Sequence, residues 1–259
     1  MTLLPAHTGP DDLPPDYALL TTDIVGYSKV PETAMPAMRN ALDEALAEAF
    51  EESGLASEWE SHNLGRDTGD GWIRVVPAAK LPRLVDPCIS LFEEALHRYD
   101  CGRHAAAPVL RTRLSVHLGP LSPDYRGNAI NDVCRLVESD AVRSAAAVAA
   151  EHDSFTAAII SDEVHRRVVL AERTLGLSPR DFLEVSANVR EKQFSRSAWV
   201  HVPRLAPALI RPAVEASRPA TGTSAAGQPA AAPAIQITGN VGTAAETIQC
   251  MNVGGISFA

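Results

Sequence analysis

No run in these 259 residues approaches the ~20 apolar positions that carry a helix across a bilayer, so direct membrane insertion is not expected. Residues 1–15 lack a basic stretch followed by an apolar one; no secretory signal is read there, and a cytoplasmic chain is expected. Cations are scarce: 23 Lys and Arg face 32 Asp and Glu, a net charge of −9. That balance argues against a surface built to grip a nucleic-acid backbone, which needs basic residues. A polyphosphate ligand stays compatible, because bound metal ions screen it locally. Paired cysteines are also missing. Cys88, Cys101, Cys134 and Cys250 show no ligand spacing, so they read as free thiols rather than a disulfide framework or a zinc site.

What is present begins with an alternation of helical and strand patterns. Residues 1–15 carry four prolines and read as a flexible leader. Strands are expected over 17–22, 72–76, 109–117, 157–160, 182–185 and 198–202, with 58–62 pairing 72–76 as a hairpin. Helices are expected over 37–50, 84–99 and 128–139, and over 162–170 with Ser161 as its N-cap. Gly54 is a stop signal. Interleaved helices and strands imply an α/β or α+β layer. From residue 204 to 233 the composition turns to alanine, proline, serine, threonine and glycine, and reads as a linker. Residues 234–259 regain isoleucine, valine and phenylalanine and read as a short strand-forming tail, a candidate docking tag for an effector or other protein.

Three polar segments interrupt this pattern. Thr-Thr-Asp-Ile-Val-Gly-Tyr at 21–27 puts Asp23 at a strand end. Asp-Thr-Gly-Asp-Gly at 67–71 puts Asp70 in a glycine-flanked turn just before a strand. Two carboxylates on adjacent strand ends suit hard divalent cations, and paired oxygen-ligated metals are a common means of phosphoryl transfer. Arg-Gly-Asn-Ala-Ile-Asn-Asp-Val-Cys-Arg at 126–135 places Asn131 and Arg135 four apart, on one helical face. Together the segments point to nucleotide chemistry.

The motifs, in order, resemble the class III nucleotidyl cyclases over residues 16–203: the Asp-Ile strand end, the Gly-Asp turn, the Val-His-Leu-Gly strand end and the Gly-Asn-x-x-Asn-x-x-x-Arg helix. The pattern is similar to small stand-alone bacterial cyclases, including pyrimidine cyclases of antiphage defence. The resemblance implies a ferredoxin-like α/β (α+β) catalytic core, an antiparallel-rich sheet with helices. It implies metal binding by Asp23, Asp70 and the backbone of Ile24, with two Mg²⁺ or Mn²⁺ ions per site. Ile24, Val25 and Gly26 would lie near the phosphates. Asn131 matches the ribose-orienting asparagine and Arg135 the arginine that stabilises the transferring phosphate. The family's split of metal-binding and Asn–Arg residues between subunits implies a homodimer with two equivalent sites.

Arg66 takes the position of the family's base-reading lysine, and Asp124 that of its aspartate partner. Arginine is no conservative stand-in for lysine. Arg66 donating to uracil O4 while Asp124 accepts from N3–H favours UTP and a cyclic UMP product; cytosine also satisfies the pair. An adenylyl cyclase, or a catalytically silent nucleotide-binding module, remains the alternative.

Each residue also has a plainer role. Asp23 would end a strand, Gly69 and Gly71 would shape a hairpin, and Arg135 would pair with Glu138 or Asp132. Arg66 would pair with Asp67 or Glu60, and His62 and His117 would be structural. Tyr125 and Arg126 would shape the base pocket or face solvent. Cys134 has no histidine nearby in sequence and is not expected to be a nucleophile.

Overall fold

The first strand, β1 (Asp16–Ile24), alternates cleanly: Ala18, Leu20 and Ile24 enter one core and Tyr17 and Leu19 another. Such a strand has both faces covered, and β1 lies inside the sheet, antiparallel to β3 (Trp72–Pro77) on one side and β4 (Thr112–Pro120) on the other. The computed structural model describes residues 13–61, 65–105, 107–122 and 127–217. All lie in the first of the chain's two units, Met1–Pro219.

The sheet has seven strands in the order β2-β3-β1-β4-β5-β7-β6. They are β2 (Gly65–Asp67), β3 (Trp72–Pro77), β4 (Thr112–Pro120), β5 (Thr156–Ser161), β6 (Leu183–Val189) and β7 (Phe194–His201). β1 to β4 stand in the order 2-3-1-4 with each neighbouring pair antiparallel, and helices lie between β1 and β2 and between β3 and β4. That is the ferredoxin-like β-α-β-β-α-β arrangement expected from the sequence. β5 then joins β4 in parallel, and β6 and β7 close the sheet as an antiparallel pair.

One face is covered by α1 (Met35–Glu52) and α4 (Cys88–Gly102), whose buried stripes include Leu42, Leu46 and Phe50, and Ile89, Phe92 and Leu96. The other carries α5 (Asn128–Glu138), α6 (Asp140–Glu151) and α8 (Pro207–Ser217). The hydroxyl of Ser115 on β4 donates to the carbonyl of Val133 at 2.7 Å and fixes α5 over β4.

Several elements depart from the sequence reading. Residues 56–60 are helix α2 (Ala56–Glu60), not a strand. The ring of Trp59 packs on Phe50 at 5.4 Å, and the guanidinium of Arg74 stacks over Trp59 at 3.9 Å and over Trp72 at 4.3 Å. That stacking gives the aromatic residue more than a strand edge would. The strand that pairs β3 is the three-residue β2. His62 lies outside the described residues.

The helix expected over 84–99 is two helices, α3 (Leu81–Val85) and α4, separated at Pro87. Asp86 leaves the helical path and accepts from the amides of Leu175, Gly176 and Leu177 at 2.6–3.0 Å. Ser161 does not cap with its side chain; α7 (Asp162–Val164) follows it and continues as a π-helical turn, His165–Val169.

The linker reading also yields at 207–217, which form α8. Pro207 opens it, where a missing N–H costs nothing, and Ile210 and Val214, one turn apart, are buried against the core that α6 lines. Each such burial is worth roughly 1.5–3 kcal/mol, which composition alone does not reveal. The tail 234–259 and the linker beyond Ser217 lie outside the described residues.

Candidate active site

Asp23 faces the side of the sheet that carries α5, in register with Arg113 on β4. Nε of Arg113 donates to Oδ2 of Asp23 at 2.9 Å, and Nη2 closes on the same oxygen. Asp70 reaches the same place from the turn between β2 and β3. Its carbonyl accepts from the amide of Ile24 at 2.9 Å, which carries the pairing of β1 and β3 to the end of the strand.

The turn is tightly specified. Oδ1 of Asp67 accepts from the amide of Gly69 at 2.7 Å, and Gly69 sits at φ +92°, in the left-handed region that favours glycine. At Gly71 a Cβ would stand 1.8 Å from the carbonyl oxygen of Thr22, so only glycine permits the approach. The two threonines of β1 bind the far side of the turn. Oγ1 of Thr22 accepts from the amide of Trp72 at 3.1 Å, and Oγ1 of Thr21 donates to its carbonyl at 2.8 Å. Arg39 of α1 lies 3.2 Å from Asp67 and anchors the outer strand.

Burial raises the carboxyl of Asp23 above its usual range; the charge of Asp70 pushes the same way, and Arg113 opposes. A desolvated carboxylate beside a second one calls for positive charge. Among the described residues no three His, Cys, Asp or Glu converge as a metal cage. Two carboxylate donors nonetheless fit a hard divalent cation, which commonly takes one or two carboxylates and completes its shell with water and substrate oxygens. Ile24 has its side chain in the core, so only its backbone is available. Val25 and Gly26 lie at the strand's exit. The amide of Val25 donates to the carbonyl of Arg111 at 2.9 Å, its side chain is exposed, and Gly26 turns the chain at φ +74°.

Arg113 was not singled out in the sequence. It shares its face of β4 with Ser115, His117 and Gly119, while Leu114, Val116 and Leu118 fill the other, so alternation marks a polar face without singling Arg113 out.

Asn131 and Arg135 form a second group. α5 buries Ala129, Val133, Leu136 and Val137 on the sheet, leaving Asn131 exposed and Arg135 half-buried. The guanidinium of Arg135 lies 5.6 Å from the ring of Phe194 on β7, and Nη1 is 3.9 Å from Asp132. The pairing with Asp132 is therefore present, as a contact too long for a hydrogen bond. Among the described residues no hydrogen bond or ion pair joins Asn131 or Arg135 to Asp23 or Asp70.

Arg66 stands on β2 opposite Ile73, which is itself opposite Thr21; all three share the face of Asp23. It is exposed and looks toward α5. Burial pushes the Cys134 thiol up, and the charge of Arg66 is one of those that pull it back. Asp124, with Tyr125 and Arg126, lies outside the described residues. His117 on β4 has a buried Nδ1 without a partner, and burial lowers its pKa.

No protein-family model and no curated protein matches this chain. Solved structures do. A bacterial light-regulated adenylyl cyclase matches at 13% identity and a TM-score of 0.49, over 80% of this chain and all of that one. The catalytic core of a rhodopsin-guanylyl cyclase with converted specificity, in complex with ATPαS, matches at 15% identity and a TM-score of 0.46, over 74% of this chain and 97% of that one. The guanylate cyclase domain from Catenaria anguillulae, in complex with GTP, matches at 13% and 0.44, over 72% and 95%. All three are nucleotide cyclases.

Proposed function

We propose that this chain is a metal-dependent nucleotidyl cyclase. It converts a nucleoside triphosphate, UTP in first place, to the 3′,5′-cyclic monophosphate and pyrophosphate. The observation that carries the reading is the junction of Asp23 and Asp70 at the end of β1, held by the Ile24–Asp70 backbone bond. Asp23, Asp70 and the Ile24 carbonyl would hold Mg²⁺ or Mn²⁺. Such ions, when bound, lower the pKa of the ribose 3′-hydroxyl and bind the leaving pyrophosphate.

The chain's own groups do the rest. Val25 and Gly26 offer backbone at the strand exit, where the phosphates would lie. Arg113 adds a fixed cation beside the carboxylates, suited to a polyphosphate arriving there. Asn131 orients the ribose. Arg135 places donors where negative charge grows on the transferring phosphate. Asn131, exposed, and Arg135, half-buried, lie apart from the carboxylates, which suits a site completed by a second copy, so the working form is a homodimer. Arg66 and Asp124 read the base, and the arginine fork favours a pyrimidine. A cyclic pyrimidine product suits a role in antiphage signalling, with residues 234–259 as the segment that docks an effector.

One observation favours a catalytically silent nucleotide-binding module: Arg113 already takes Oδ2 of Asp23. The two readings separate when purified protein is incubated with Mn²⁺ and ATP, GTP, CTP or UTP, and products are identified by mass spectrometry. Cyclic UMP is expected from UTP. Cyclic AMP alone would make the chain an adenylyl cyclase. No cyclic product from a folded dimer would favour the silent module.

A further inference from the structure

Between α5 and the first residues of β7 lies a cavity of about 260 Å³, on the same side of the sheet as Asp23 but several residues along β4 from Arg113. His117 of β4 and Ser161 of β5 lie side by side beneath it, because Val116 pairs with Ile160 one residue earlier. Asp132 and Leu136 of α5 make one wall, and Phe194 and Arg196 of β7 the other.

Two polar atoms of this lining are buried without any partner: Oγ of Ser161, a residue only 8% exposed, and Nδ1 of His117. Buried polar groups are nearly always paired, so two orphans lining one cavity call for an occupant. The charges around the rim narrow its chemistry. Arg166 is committed to Asp162 at 3.0 Å and to Glu163, and the lining's three carboxylates, Asp132, Asp162 and Glu163, outnumber its two guanidiniums, Arg166 and Arg196, which disfavours an anion. Among the described residues the one ion pair of Asp132 is with Arg135, at 3.9 Å, and its carboxylate keeps acceptor capacity. Burial lowers the pKa of His117 and so favours the neutral ring, which supplies one donor and one acceptor. The Ser161 hydroxyl does both, and Leu136 and Phe194 offer an apolar surface to a flat ring.

We propose that this cavity is a ligand site separate from the Asp23–Asp70 centre, taking a small amino-substituted nitrogen heterocycle of nucleobase size. The amino group donates to Asp132, adjacent ring nitrogen and carbonyl or N–H groups pair with Ser161 and His117, and the ring lies against Leu136 and Phe194. The volume falls below the ~300–1,000 Å³ of sites for drug-sized molecules, which suits a free base better than a nucleotide. Asp132 and Phe194 also neighbour Arg135, so an occupant that engages them resets that arginine. This coupling rests on the catalytic reading of Arg135; the binding does not.

Isothermal titration of cytosine and of adenine into the full chain carrying Asp70→Asn tests the site with the metal centre disabled. One molecule of at least one base is expected per chain, with affinity at least tenfold weaker after Ser161→Val, which removes the hydroxyl and keeps the bulk. Asp132→Asn, near the surface, is expected to weaken it similarly and serves if Ser161→Val does not fold. Inorganic phosphate is expected not to bind. Binding of neither base to the Asp70→Asn protein, or binding unchanged by the folded variants, overturns the proposal. Loss of product formation in Asp70→Asn with base binding retained separates this site from the cyclase reading.

Discussion

The amide of Ile24 donates to the carbonyl of Asp70 across 2.9 Å, so the two strand ends that carry the candidate metal carboxylates are joined by backbone and not by the carboxylates themselves. Chemistry at Asp23 and Asp70 can therefore be altered without unfastening the strands.

Asp70→Asn follows directly. The backbone bond survives, the substitution conserves shape, and stability should change by no more than about 0.5 kcal/mol. Product formation should nearly vanish. Mass-spectrometric turnover together with a urea unfolding curve checks both, and undiminished turnover would sink the two-metal assignment.

Gly71→Ala should behave in the opposite way. The new Cβ would lie 1.8 Å from a backbone oxygen that has no room to retreat, so turn and strand must part. A loss of about 1–3 kcal/mol in unfolding free energy is expected, with turnover falling alongside it. A variant as stable as the parent would show that the turn is not held as described.

Arg66→Ala should alter which nucleotide is preferred more than how fast the bond is made. Competition among the four nucleotides, with kcat/KM for each, reads this out. An unchanged order of preference removes Arg66 from base recognition.

Buried histidines are expected to weaken the fold as the pH falls. His165 stacks on Trp199 with ring centroids 3.7 Å apart and has no partner on either nitrogen; His201 is also buried. Burial lowers the pKa of both below 6.5. The unfolded chain then binds more protons than the folded one as pH falls through 6.5 toward the depressed values. Stability should decline over that window, by up to about 1.4 kcal/mol per group per pH unit. Urea midpoints at pH 7.5 and 5.5, followed by tryptophan fluorescence, test the sign, and His165→Phe should flatten the slope.

Ile210→Ala probes the helix that composition disguised. The residue is fully buried, and the cost should be about 2–5 kcal/mol. Ending the chain at residue 203 should cost more still. A truncated chain with unchanged melting would return 207–217 to the linker.

The central strands and the long helices were legible because their burial follows the 2- and 3.6-residue periods: β1 and α1 each exceed their expected bounds by two residues or fewer at either end. What the pattern missed was decided by tertiary contacts. Trp59 turned a supposed strand into α2 by stacking with Phe50 and Arg74, Asp86 broke a continuous helix to reach three amides, and α8 drew its stability from a surface that α6 supplies. In the candidate site, the strand-end setting of Asp23 and the turn setting of Asp70 were legible. Arg113 was not, because nothing in its immediate neighbours says that it lies across from Asp23, 90 residues earlier.

β4 and β5 run parallel, so the chain must cross back over the sheet between them, and α5 and α6 are that crossing. Its span is dictated by the strands it connects. Asn131 and Arg135 sit on that crossing, on a helix held to the sheet by Ala129, Val133 and Leu136: a residue added or lost between those anchors and the pair turns it by about 100° around the helix. A length change that an ordinary surface loop absorbs would here aim the arginine somewhere else.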